Sequence, residues 1–139
     1  MQWQHYNRLK STMRYIEELL REIALCLNEK EKNIYRPVEV DLTKKQVNLI
    51  KGHLKKVYAV LEEAKSNFNL EVEPIKVSRI IDVNTGFIWK TIEDAWSSKM
   101  ERTSGKITSV EKKKQIDNLL KKVLESANEI REIAKYETL

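Results

Sequence analysis

The sequence predicts an all-α fold: a four-helix bundle, antiparallel and up-down-up-down, with left-handed heptad-type packing. Three observations carry that expectation. Turn residues are scarce, with three Gly and two Pro in 139 residues, where about 7% Gly and 5% Pro are usual. Sandwiches and barrels need a turn roughly every 8–12 residues, which this composition cannot supply. Apolar residues recur at alternating steps of three and four in three separate segments. That 3.5-residue period keeps one seam facing its partners and favours crossing near +20°. Capping patterns and helix breakers fall between the segments.

In the first segment Tyr6, Leu9, Met13, Ile16, Leu20, Ile23 and Leu27 form the seam, predicting a helix over 4–30. The second runs Val47, Ile50, Leu54, Val57, Leu61, Ala64, Phe68, predicting 43–69. It opens at Thr43-Lys-Lys-Gln46, which has capping-box form with Leu42 and Val47 placed as a staple. Gly52 inside it predicts close helix packing. The third, over 78–103, is less regular. Ile81, Ile88, Ile92 and Ala95 form a stripe, Trp89 and Trp96 lie one heptad apart beside it, and Asn84-Thr85-Gly86 is the expected break or kink. Gly105 then terminates it. The fourth, over 108–137, follows the box Thr108-Ser-Val-Glu111 and carries Ile116, Leu120, Val123, Ala127, Ile130 and Ala134. Pro37 and Pro74 mark connectors, and the alternating stretches 38–42 and 70–77 read as extended chain or short strands. A chain of this length predicts one helical-bundle domain over residues 1–139.

Much chemistry is excluded. No apolar run reaches the ~20 residues of a membrane span, and the first eight residues lack the apolar core of a secretory signal. Cys26 is the only cysteine, so no internal disulfide forms. These features predict a cytoplasmic setting with no membrane partner. Only His5 and His53 are present, and neither has Glu three positions before it, as di-iron bundles require. Zinc motifs, a Walker loop and Gly-x-Gly-x-x-Gly are also missing. The expectation is therefore no cofactor, no metal and no catalysis. Cys26, beside the Ile23–Leu27 seam, reads as a packing thiol. The pairs Glu17-Glu18, Glu62-Glu63 and Glu93-Asp94 read as solvated faces, because neighbours on a helix diverge by about 100°.

Charge is unevenly placed. The net charge is +5 with a pI near 9.2. Residues 28–56 hold eight bases against four acids, and residues 97–122 hold eight against three, so the remainder is net acidic. An up-down-up-down bundle would gather Lys30, Lys32, Arg36, Lys44, Lys45, Lys51, Lys99, Arg102, Lys106, Lys112, Lys113 and Lys114 at one pole. Two helix N-termini there would add partial positive charge. Such a pole would attract an anion such as nucleic acid, with an affinity that falls as salt rises.

Three functions follow in order. The first is a non-catalytic interaction or assembly protein that docks other proteins, or itself as a homo-oligomer. Leu19, Leu25 and Cys26 on the first helix, and Leu119, Leu124 and Ile133 on the fourth, widen the apolar faces beyond a narrow seam. The second is a nucleic-acid-binding accessory protein using the basic pole. The third rests on Gly52-His53-Leu54-Lys55-Lys56. Lys56, three residues after His53, resembles the His-x-Leu-Lys-Gly pattern of histidine phosphotransfer domains, which are four-helix bundles with an exposed phosphoacceptor. Here Leu comes one place early and Gly precedes the histidine.

Overall fold

The computed structural model describes residues 1–28 and 33–136. They form five helices rather than four, α1 (Trp3–Cys26), α2 (Lys44–Asn67), α3 (Val77–Glu93), α4 (Ser97–Ser104) and α5 (Val110–Tyr136). No strand occurs among the described residues, so the stretches 38–42 and 70–76 are connectors without regular structure. The chain divides into two compact units, Met1–Val72 and Glu73–Leu139.

In the first unit α1 packs on α2. The pair is antiparallel, because Lys10 Nζ near the start of α1 donates to the Glu71 carbonyl beyond the end of α2, at 3.1 Å. The Gln2 backbone N–H meets His5 Nδ1 at 3.3 Å, so this histidine serves the start of α1. The predicted box at α2 is formed on both sides. Gln46 N–H donates to Thr43 Oγ1 at 3.1 Å, and Thr43 N–H donates to Gln46 Oε1 at 2.9 Å. The helix ends in a Schellman turn. Leu70 N–H bonds the Lys65 carbonyl at 3.0 Å, Asn69 N–H bonds Ser66, and Asn69 takes a left-handed φ of 49°. Leu70 is buried behind that turn.

The predicted seams hold in part. Leu9, Met13, Ile16 and Leu20 on α1, and Val47, Ile50, Leu61 and Ala64 on α2, are half-buried around buried Leu54. Tyr6, Ile23, Val57 and Phe68 are exposed instead. Ala24, one position on from Ile23, takes the inward place on the last turns of α1. Cys26 is exposed, so it is no packing thiol. Two residues past Ala24, it is turned by about 200° from the inward face. Gly52 does not mediate close packing either, since a Cβ built there would meet nothing within 4 Å.

In the second unit α5 packs against α3 and α4. The segment expected as one helix is two, and the break lies at Asp94-Ala95-Trp96 rather than at Asn84-Thr85-Gly86. The helix passes through Thr85 because its hydroxyl donates to the Ile81 carbonyl at 2.7 Å, leaving the side chain inward and only 7% exposed. Thr85 thereby lies inward between Ile81 and Ile92, while Ile88 and Trp89, read from the sequence as the stripe and its flank, are exposed. The chain breaks where a replacement for the helical bonds is on offer. Asp117 of α5 accepts both the Ser97 N–H and the Ser97 hydroxyl at the start of α4. Gly105 ends α4 with φ 96° and ψ 166°, and its N–H bonds the Glu101 carbonyl. Ser109, rather than Thr108, caps α5, its Oγ accepting the Lys112 N–H at 3.2 Å.

Both α3 and α4 run antiparallel to α5. Arg131 late on α5 bonds Asp82 early on α3, and Lys113 early on α5 pairs with Glu101 late on α4. Buried Ile92 and Ala127 lie within this unit. On α5 the inward residues are Ile116, Leu120, Leu124 and Ala134 around Ala127. Val123 and Ile130, read from the sequence as seam, are exposed.

Candidate protein-interaction surface

The twelve predicted anion-binding residues distribute over both units. Lys30 and Lys32 lie outside the described residues. In the first unit Arg36 is exposed on the connector, and Lys44, Lys45 and Lys51 are exposed on the first two turns of α2. Lys44 and Lys51, seven residues apart and so on one side of α2, edge an open groove of about 800 Å³. Ala24, Leu27 and Asn28 form its α1 wall, and Val40, Leu42 and Val47 supply apolar floor.

In the second unit Lys99 and Arg102 lie on α4, Lys106 on the connector that follows, and Lys112, Lys113 and Lys114 on the first turns of α5, where Lys112 and Lys114 point to nearly opposite sides. Two of the six have acidic neighbours: Lys113 pairs with Glu101, and Lys99 lies 4.0 Å from Asp94. Arg102, Lys106, Lys112 and Lys114 are exposed.

Groups that could carry catalysis are dispersed. His53 and Lys56 are exposed on α2 and Cys26 is exposed at the end of α1. Among the described residues no three His, Cys, Asp or Glu side chains come together as a metal site.

Exposed apolar side chains are numerous in the second unit, and they were only partly visible in the sequence. On α3, Ile80, Val83 and Phe87 are exposed, Phe87 by 64%. On α5, Leu119, Val123, Ile130 and Ile133 are exposed, Leu119 by 61%. At about 100° per residue the α5 set sits about 80° round its helix from the buried stripe, whereas the α3 set sits about 150° from Ile81, Thr85 and Ile92, nearly opposite them. The α5 residues therefore flank the packed side of their helix, while those on α3 point largely away from α5.

Rows of exposed apolar residues mark interaction sites more often than isolated exposed residues do. The signal in the sequence was the width of the α5 face, read from Leu119, Leu124 and Ile133 beside a seam drawn through Val123 and Ile130; Leu124 turns inward, and Val123 and Ile130 turn outward. On α3 no stripe was drawn through Ile80, Val83 and Phe87, because its period was read from Ile81, Ile88, Ile92 and Ala95, with Trp89 and Trp96 beside it.

No helix among the described residues is long and apolar enough to cross a membrane. Compared with protein-family models, with curated proteins and with solved structures, the chain matches none.

Proposed function

We propose that the chain is a non-catalytic interaction and assembly protein of the helical-bundle kind. It works in the cytoplasm, where its exposed thiol stays reduced, and docks proteins through the apolar helix faces it leaves open. The observation that carries this reading is the row of exposed apolar side chains along α5, Leu119, Val123, Ile130 and Ile133, with Ile80, Val83 and Phe87 exposed on α3. Apolar surface beyond what a unit can cover itself is stabilised by association, at roughly 25 cal/mol per Å² before the costs of binding.

The test combines molar mass by light scattering with fluorescence of an apolar dye. Either a mass above 16.4 kDa or a monomer that brightens the dye is expected. A monomer that leaves the dye dark rejects the reading.

A second reading, a nucleic-acid-binding accessory role, is favoured by the six bases carried between Lys99 on α4 and Lys114 early on α5. It expects retention on heparin and duplex binding that weakens steeply with salt. Charge reversal at Lys112 and Lys114 should abolish both, and absence of binding at low salt rejects it.

A further inference from the structure

We infer that the exposed row on α5 pairs with α5 of a second copy of this chain, antiparallel, in a dimer whose two-fold axis crosses the helices between Leu124 and Glu125. The inference rests on the reading of the chain as an assembly protein and names its partner.

The row has the spacing of a helix seam. Ile116, Leu119, Val123, Ser126, Ile130 and Ile133 recur at alternating steps of three and four, over about 26 Å of helix. Ile116 is half-buried, and Leu119, Val123, Ile130 and Ile133 are between 51% and 61% exposed. The stripe that meets α3 runs through Leu120, Leu124 and Ala127, about 80° round the helix from this row. α4, bonded to Lys113 and Asp117, lies further round in the same sense. A second helix can therefore lie along the row without displacing either neighbour.

Charge chooses the occupant and its register. Lys122 and Glu129 directly precede Val123 and Ile130, and both stand exposed on the edge of the row away from α3. Among the described residues neither makes an ion pair. In an antiparallel pair of helices, edges of the same kind come together. Lys122 of each copy then approaches Glu129 of the other in the register that sets Ile116 against Ile133, Leu119 against Ile130 and Val123 against Ser126. The two charged residues lie within about 3 Å of level, and the tilt of side chains toward each helix N-terminus closes that gap. Sliding by one heptad either way sets Lys122 against Lys122 or Glu129 against Glu129, which repel. A parallel pair would set Lys112, the next residue of the seam, against its own counterpart, and would put Lys122 and Glu129 on the partner's α3 side, away from each other. One helix thus carries both halves of a complementary pair, the pattern of a self-complementary isologous contact.

The hairpin accommodates this arrangement. The two-fold axis is normal to the plane of the paired α5 helices, so α3 of each copy stays on one side of that plane and the two lie side by side. The Asp82–Arg131 pair sets the levels within the hairpin, and by those levels the axis passes close to Ile88. Ile88 is 38% exposed and leans toward the side of the α5 row, with exposed Asn84 and Thr91 about a turn away on either side. Ile88 then meets Ile88, and Asn84 of one copy stands near Thr91 of the other, amide to hydroxyl. The product is four helices in which every neighbouring pair is antiparallel.

The test is the molar mass of the full chain across a concentration series, with far-UV circular dichroism to check helicity and an apolar dye as a second readout. A dimer of about twice 16.4 kDa is expected. Val123→Glu should weaken it about 100-fold or more by placing a charge in both central layers of the seam. Ile130→Glu gives the same readout should Val123→Glu lose helicity. Lys122→Glu and Glu129→Lys should each weaken the dimer about tenfold at low salt, by turning two attractions into two repulsions. The double variant Lys122→Glu/Glu129→Lys should recover it, because the pair is then complementary with its signs exchanged.

A monomer that brightens the dye overturns self-association while leaving the assembly reading intact; a monomer that leaves it dark overturns both. A mass above that of a dimer overturns the closed two-fold pair. A dimer indifferent to Val123→Glu and Ile130→Glu overturns the choice of α5. Failure of the double charge variant to recover the dimer overturns the antiparallel register.

Discussion

Asp117 holds Ser97 with both carboxylate oxygens: Oδ1 accepts the backbone N–H at 2.9 Å and Oδ2 accepts the hydroxyl at 2.7 Å. Ser97 is the first residue of α4, and that helix has no capping side chain of its own. A carboxylate twenty residues away therefore does the work of an N-cap and places negative charge at the positive end of the helix. Because Ser97 is buried, removing the acceptor strands two donors. Asp117→Ala should cost about 2–3 kcal/mol in urea unfolding. Ser97→Ala, which keeps the N–H bond, should cost only about 1 kcal/mol. Equal losses from the two would mean that the carboxylate is not the cap of α4.

Arg131 and Asp82 look similar on paper and should behave differently. Arg131 Nη2 and Nε lie 2.8 Å and 2.9 Å from Asp82 Oδ1, but the two side chains are 50% and 62% exposed. Water and salt screen such a pair, and exposed pairs contribute at most about 1 kcal/mol. Asp82→Asn should therefore lower stability by well under the Asp117→Ala loss, and the difference should shrink further in high salt. A loss above about 2 kcal/mol would show that the pair is far better shielded than its exposure says.

The contrast explains what could be read from the residues in advance. Local signals were legible: the Thr43–Gln46 box, the stop at Gly105 and the α1 and α2 periods all operate within a few residues of chain. The break at Asp94-Ala95-Trp96 was not, because the residue that makes it favourable, Asp117, is distant in sequence and bonds only once α5 has packed. Thr85 misled for the opposite reason. Next to Asn84 and Gly86 it reads as a turn, yet its hydroxyl is satisfied inside the helix. The α5 seam was drawn through Val123 and Ile130 because periodicity reports that a face is apolar, not which of two adjacent stripes meets the neighbour. The basic residues illustrate the same limit, since each group's position along its helix could be read but its ion pairs, such as Lys113 with Glu101, could not.

At the end of α2, Asn69 supplies the left-handed residue and Leu70 the apolar contact of the Schellman turn. Asn tolerates φ near +50° better than other non-glycine residues, but Gly adopts it at no steric cost. Asn69→Gly should raise stability by a few tenths of a kcal/mol, and Asn69→Val should lower it by about 1–2 kcal/mol. Leu70→Ala removes one of the few buried apolar side chains of the first unit and should cost about 2–3 kcal/mol. Denaturant midpoints of the three variants check the ordering, and an undiminished midpoint for Asn69→Val would remove the turn from the account of how α2 ends.

The three glycines should respond to alanine in opposite directions. Gly52 and Gly86 lie inside helices, and a Cβ at either would meet nothing within 4 Å. Neither backbone requires glycine, so alanine gains helix propensity and restricts the unfolded chain. Gly52→Ala and Gly86→Ala should each stabilise by about 0.5–1 kcal/mol. Gly105 has equally open surroundings, but its φ of 96° with ψ of 166° belongs to a region reached almost only by glycine. Gly105→Ala should therefore cost about 1–3 kcal/mol although no contact is lost. Thermal midpoints for the three single variants separate the two effects. A destabilised Gly52→Ala would show that some group approaches α2 closely at that position in solution, since none of the described residues occupies the space.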